Sequence, residues 1–327
     1  MKRFLVLAVI VLFTVQSQSQ TFIKEKGTDL PVSFATISFG NGNGIFADDE
    51  GKFIFTKKLY SDIDSLFISS IGYKELRVAT ENLPSTLFLE PSQEELDEVI
   101  VNSKPKGKFK IEELEPNLHE DYFKCWLPSI ESEIAVFFPR HKNKQNKVEK
   151  VLLPIKVEAA DWDKRKRKNV VKRPFSTLFK VNFYENIDGL PGDALTYDKI
   201  VFRVTEKSEP VFKLDVSEND IYIPKNGMFV SIQVLGYTDK LGKLLPNKKY
   251  REIKTKKGIV KVSTTFRPLL PFTDKVKSQK TYVKRVFLNG NKWVSFEKQN
   301  IQTLSKLLKE GLNNYGMGLE LKVYQED

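Results

Sequence analysis

Residues 161–173 read DWDKRKRKNVVKR, so Trp162 stands two places before five consecutive bases: Lys164, Arg165, Lys166, Arg167 and Lys168. The wider segment 140–173 holds 13 Lys/Arg against 4 Asp/Glu. Charge this dense is not buried unpaired, because each unpaired buried charge costs several kcal/mol. Two readings remain. One is a solvated, highly charged loop. The other is a ligand surface on which the bases attract a polyanion and Trp162 stacks against a ring.

Other chemistries are harder to build. A catalytic zinc of the carboxypeptidase kind needs two histidines and a glutamate. The chain has only His119 and His141, far apart, and His119 is followed by Glu-Asp-Tyr. No Gly-x-Ser-x-Gly elbow and no glycine-rich phosphate loop is present. Cys125 is the only cysteine. No internal disulfide can form, and beside Trp126 it reads as a small buried hydrophobe. Glu185, Asp188 and Asp193 cluster around one turn. They are candidates for a structural calcium site, with ordinary turn polarity as the simpler reading; no other cofactor is expected. A hydrolase built on two carboxylates about 5 to 9.5 Å apart stays open, because 28 acids lie beyond residue 102.

The acidic stretch ADDEGKFIF, residues 47–55, raises the same question of site or turn. Asp48, Asp49 and Glu50 are consecutive and cannot all point at one ion. A turn is the better reading, with an Asp side chain bonded to downstream backbone and Gly51 at positive φ.

Around these residues the pattern is strand after strand. Ala35, Ile37 and Phe39 share a face, as do Phe53 with Phe55 and Leu66 with Ile68. Beyond residue 123 about ten more period-two runs follow, and Ile301, Leu304, Leu307, Leu308 and Leu312 mark one short helix over 300–314. The expected fold is all-β: a small seven-stranded sandwich, then a larger jelly-roll-like β-sandwich with that helix. In the second unit, Pro191 and Gly192 are placed to make a type II turn.

The divisions follow composition. Residues 1–19 carry Lys2, Arg3 and the apolar run Phe4–Phe13, too short to span a bilayer, then Ser17 and Ser19. The pattern predicts a cleaved signal peptide, with Gln20 first in the mature chain and no transmembrane segment expected after it. Residues 20–101 form the first unit, 102–123 a linker rich in Lys, Pro and Gly at its start, and 124–327 the second unit. The total charge is +11. Residues 20–102 carry −7 and residues 103–327 carry +16, so the two units have different surfaces.

GTDLPVSFATISF, GIFADDEGKFIF and LFISSIGYKEL together resemble the carboxypeptidase-like regulatory domain. Pro31, Ala35, Gly44, Asp48, Gly51, Phe53, Ile71, Gly72 and Tyr73 carry the resemblance. It implies a transthyretin-like sandwich at the front of an exported or outer-membrane protein of Gram-negative bacteria. LDEVIV is similar to the run that follows this domain in TonB-dependent transporters of the starch-utilisation type. The residues beyond it are too few for their 22-stranded barrel. The expectation is a non-enzymatic binding or structural protein of the cell envelope, in the periplasm or associated with the outer membrane. Its expected partners are an acidic glycan, another polyanion or an outer-membrane protein, and not nucleic acid. The alternative is an envelope hydrolase acting on a glycan or peptide.

Overall fold

The computed structural model describes residues 20–58, 60–92, 107–167, 169–246, 250–255, 258–276, 280–288, 292–301, 307 and 310–325. Residues 1–19, expected to be a signal peptide, the start of the expected linker and Lys168 lie outside the described residues. So do seven of the fifteen residues of the helix expected over 300–314, namely 302–306, 308 and 309. Of its apolar positions, Leu307 and Leu312 are buried and Ile301 packs against the same core.

The chain is all-β. The first unit has seven short strands: β1 (Gln20–Glu25), β2 (Thr36–Ser38), β3 (Gly44–Phe46), β4 (Lys52–Ile54), β5 (Ser65–Ser69), β6 (Leu76–Ala79) and β7 (Thr86–Leu89). They make two sheets, β4-β1-β7 and β3-β2-β5-β6, with β1 and β7 parallel. The alternating apolar residues close a core between them: Ile23, Ala35, Ile37, Phe53, Leu66 and Ile68 are buried together. The acidic stretch is a turn. Asp48 Oδ1 accepts from the amides of Glu50 at 3.0 Å and Lys52 at 2.9 Å, and Gly51 takes φ +70°.

The second unit runs β8 (Phe109–Leu114), β9 (Cys125–Trp126), β10 (Ser132–Phe138), β11 (Asn146–Pro154), β12 (Ser176–Ile187), β13 (Leu190–Ala194), β14 (Ile200–Thr205), β15 (Val211–Asp215), β16 (Met228–Tyr237), β17 (Tyr250–Thr255), β18 (Gly258–Ser263), β19 (Leu270–Thr273), β20 (Thr281–Arg285), β21 (Val294–Ser295), β22 (Asn314–Tyr315) and β23 (Gly318–Tyr324). A seven-stranded sheet has the order β13-β12-β16-β10-β20-β21, with β14 beside β12, and a four-stranded sheet the order β15-β11-β23-β8. The main core includes Val136, Phe138, Val181, Phe183, Val230 and Ile232 of the first sheet, and Val148, Val151, Leu319 and Leu321 of the second.

Two local expectations change. Residues 109–114, read as linker, are β8, paired antiparallel with β23 from Phe109 to Leu114. The turn expected at Pro191–Gly192 lies earlier. Ile187 pairs with Leu190, and Asp188 (φ +52°) and Gly189 (φ +83°) form the two-residue connection, while Pro191 and Gly192 belong to β13. Two successive positive φ values match the twist of a hairpin, which Asp-Gly accommodates and Pro cannot.

The two units meet at Phe287, just beyond β20. Its carbonyl accepts from Ser38 Oγ at 2.7 Å and from the Gly42 amide at 3.2 Å. Its ring packs on Phe46, centroids 5.2 Å apart. Gly44 leaves room for it, since a methyl group there would sit 2.4 Å from that ring and 2.3 Å from the Ile37 carbonyl oxygen. Lys243 and Glu50, 3.6 Å apart, add one charge pair across the junction.

Candidate functional site

The basic segment is a pinched hairpin between β11 and β12. Its stem is closed by the Arg173 amide donating to the Glu158 carbonyl at 2.9 Å and the Ala160 amide to Val171 at 2.8 Å. At the tip Asp161 caps a single 3-10 turn, Trp162–Lys164, by accepting from the Asp163 amide at 3.0 Å. It also pairs with Lys164 Nζ at 2.9 Å, which holds its carboxyl below the usual carboxylate range. Arg165 folds back: its guanidinium lies 4.3 Å from the Trp162 ring centroid and donates to the Trp162 carbonyl at 2.8 Å. Lys166 and Arg167 are exposed. So the predicted residues divide: Arg165 fixes the indole, and Lys164, Lys166 and Arg167 face water.

Neighbouring aromatics complete this surface. Asp121 caps a second 3-10 turn, Tyr122–Lys124, which sets Tyr122 and Phe123 edge-on to Trp162 at 5.4 and 6.0 Å. Phe123 is 55% exposed and Trp162 39%. Lys156 lies 5.1 Å from the Tyr122 centroid and pairs with Glu120. Burial, with Lys172 adding a smaller effect, lowers its amine below the ordinary lysine value. The other two tryptophans differ. Trp126 packs on Phe272 and Phe296 at the core, and Trp293 lies over Lys284, 4.6 Å from its amine.

A second polar constellation escaped the sequence reading. On the face of the seven-stranded sheet turned away from the main core, register aligns Lys180, Gln233, Glu133 and Lys284 across four strands, β12, β16, β10 and β20. Glu133 is buried. Its Oε1 accepts from Asn182 and Tyr184 at 2.8 Å and from Ser231 at 2.5 Å, and its Oε2 lies 3.1 Å from Lys284 Nζ. Burial alone would raise its carboxyl; Lys284, then Ser231, Asn182 and Tyr184, outweigh burial and hold it down at about 2. Lys180 is in the opposite position. Burial, helped by Lys284 and Lys199, lowers its amine to about 8 against the pull of Glu133. The signal was present as polar residues at alternate places in apolar strands, but their meeting depends on register.

The remaining sequence candidates stay apart. His119 Nε2 contacts the Phe272 carbonyl, and His141 pairs with Glu112. Cys125 donates to the Asp121 carbonyl, and burial pushes its thiol up to about 12, so it is no nucleophile at neutral pH. Asp188 lies in the hairpin turn, and Glu185 and Asp193 stand on its two strands. Among the described residues, no group of three or more His, Cys, Asp or Glu is arranged to hold a metal ion. Among the described residues, none of the contacts of Glu133 is to a second carboxylate.

No protein-family model, curated protein or solved structure matches the chain.

Proposed function

We propose that this protein is a non-enzymatic binding module of the bacterial cell envelope, exported to the periplasm or the outer membrane, that holds an acidic glycan or another polyanion on its basic hairpin. The front unit is then a carboxypeptidase-like regulatory domain serving as a mounting piece. The observation that carries the reading is the exposed right-angled pair Trp162 and Phe123 beside the water-facing cations Lys164, Lys166 and Arg167. Aromatic faces bind ring surfaces without regard to charge, and the cations select acidic ones. The rival hydrolase gains nothing from Glu133, an ionised group whose acceptors are already engaged, because a general acid needs a raised pKa.

The test is retention on immobilised heparin and lipopolysaccharide. The parent is expected to bind at 0.1 M salt and elute towards 1 M, as the Debye length falls from about 10 Å to about 3 Å. Replacing Lys164 through Lys168 by serine or glutamine is expected to abolish retention with the melting temperature unchanged. Equal retention of the variant overturns the reading.

A further inference from the structure

At the foot of the same hairpin is a hollow of about 140 Å3, lined by Arg173, Arg267, Phe175, Tyr237, Thr264 and Thr265 among others. Pockets that enclose a whole organic ligand run to roughly 300–1,000 Å3, so this one admits a single substituent and not a sugar ring. One of its lining residues, Arg267, carries a fixed guanidinium. Arg267 is buried to 15% side-chain exposure, and its Nε donates to Glu158 Oε2 at 2.6 Å. Its backbone is tied as well, since its carbonyl accepts from Thr177 Oγ1 at 2.5 Å. Among the described residues, the guanidinium is engaged through Nε alone, which leaves its two terminal nitrogens as an oriented fork. Arg173 brings a second guanidinium, its Nε 3.9 Å from the same Glu158 oxygen and its side chain half exposed. One carboxylate is thus shared by two guanidinium groups, and the hollow keeps a net positive charge.

Resting on the polyanion reading above, we propose that this hollow is a subsite for one tetrahedral oxyanion, a sulfate ester or a phosphate group, of the ligand held by the hairpin. Arg267 is its specificity-determining residue. The planar fork matches two oxygens of such a group and forms paired, charge-assisted hydrogen bonds that a lysine ammonium cannot reproduce. Reach decides against a ring-borne carboxylate. A sulfate or phosphate ester projects one bond further from its ring, so it enters a space that excludes the ring itself. Thr264 and Thr265 also line the hollow.

The experiment compares retention of the full protein on three polyanions: dextran sulfate, polyphosphate and polygalacturonate, whose carboxylates are borne directly on sugar rings. Salt, pH and temperature are fixed, and melting temperatures are measured alongside. The parent is expected to bind the oxyanion polymers more tightly than polygalacturonate. Arg267→Lys, which keeps the charge, is expected to lose about tenfold on them and little on polygalacturonate, as for a charge-assisted pair replaced by a point charge. Arg173→Gln, at a half-exposed position, gives the same pattern with a smaller loss and guards against misfolding of the first variant. Loss on dextran sulfate alone identifies a sulfate ester, loss on polyphosphate alone a phosphate. If both variants leave the preference intact, or weaken all three polymers equally, the subsite is overturned while the hairpin reading stands. If the parent binds none of the three, both fall.

Discussion

Lys180→Met is expected to stabilise the protein at neutral pH. Lys180 sits in a row of the seven-stranded sheet with Glu133 and Lys284, yet the acceptors of Glu133 are taken by Asn182, Tyr184, Ser231 and Lys284. Its amine is lowered from 10.5 to about 8. A drop of this size corresponds to about 3 kcal/mol, at about 1.36 kcal/mol per pKa unit. By surface area Lys180 is only half-buried, so part of its charge is screened by solvent and about 2 kcal/mol is the better figure. The sign follows from linkage. The folded state disfavours the charged amine, so the cost of folding is fully present below the folded value near 8. It fades as pH rises towards the unfolded value of 10.5. Methionine keeps the unbranched stem and removes the charge. Urea unfolding of parent and variant at pH 7 should differ by about 2 kcal/mol in favour of the variant, and by less than half of that at pH 10. A variant no more stable than the parent at pH 7 refutes the reasoning, as does a gain that persists undiminished at pH 10.

Glu133→Gln is expected to cost about 3 kcal/mol at pH 7, because the folded carboxyl titrates at about 2 and its unfolded counterpart at 4.5. This stability is present above 4.5 and is lost as pH falls through 2, so the gap between parent and variant in urea melts at pH 3 should shrink to less than half. Phe287→Ala should cost about 3–5 kcal/mol by opening a cavity between the units. Gly44→Ala should cost about 1–3 kcal/mol by forcing a methyl group against Phe287 and the Ile37 carbonyl. In a double-mutant cycle read by urea melts, the two changes should couple by more than about 0.5 kcal/mol; simple additivity would place the ring elsewhere.

Period two made most of the fold legible. Wherever one face of a strand is buried, apolar residues mark it, as at Ile37, Phe53 and Ile68. The rule fails at β8, whose Phe109 and Ile111 are 47% and 53% exposed. This strand lies at a sheet edge, where backbone pairing with β23 holds it without a buried stripe, so its sequence reads like the linker before it. Trp162 and its bases were visible because they are contiguous. The Glu133 constellation was not, since Glu133 meets Asn182 across 49 residues and Ser231 across 98. The partners of a buried charge are chosen by strand order, which a single sequence does not display. The same holds for Arg267, 109 residues from the Glu158 that orients it.

The position of β23 also sets a schedule. It lies inside the four-stranded sheet, flanked by β11 and β8, so the first and last strands of the second unit are neighbours. Until residues 318–324 have left the ribosome, β8 has no partner for its ladder and β11 has one open edge. Val148, Val151, Leu319 and Leu321 cannot meet before then. The first unit carries no such debt, since all seven of its strands lie within residues 20–89. During synthesis the small sandwich can close early, while the large one waits with its four-stranded sheet incomplete. Pairings this distant in sequence make for slow folding. The second unit therefore spends the longer time in a form that can still be threaded, captured or misassembled.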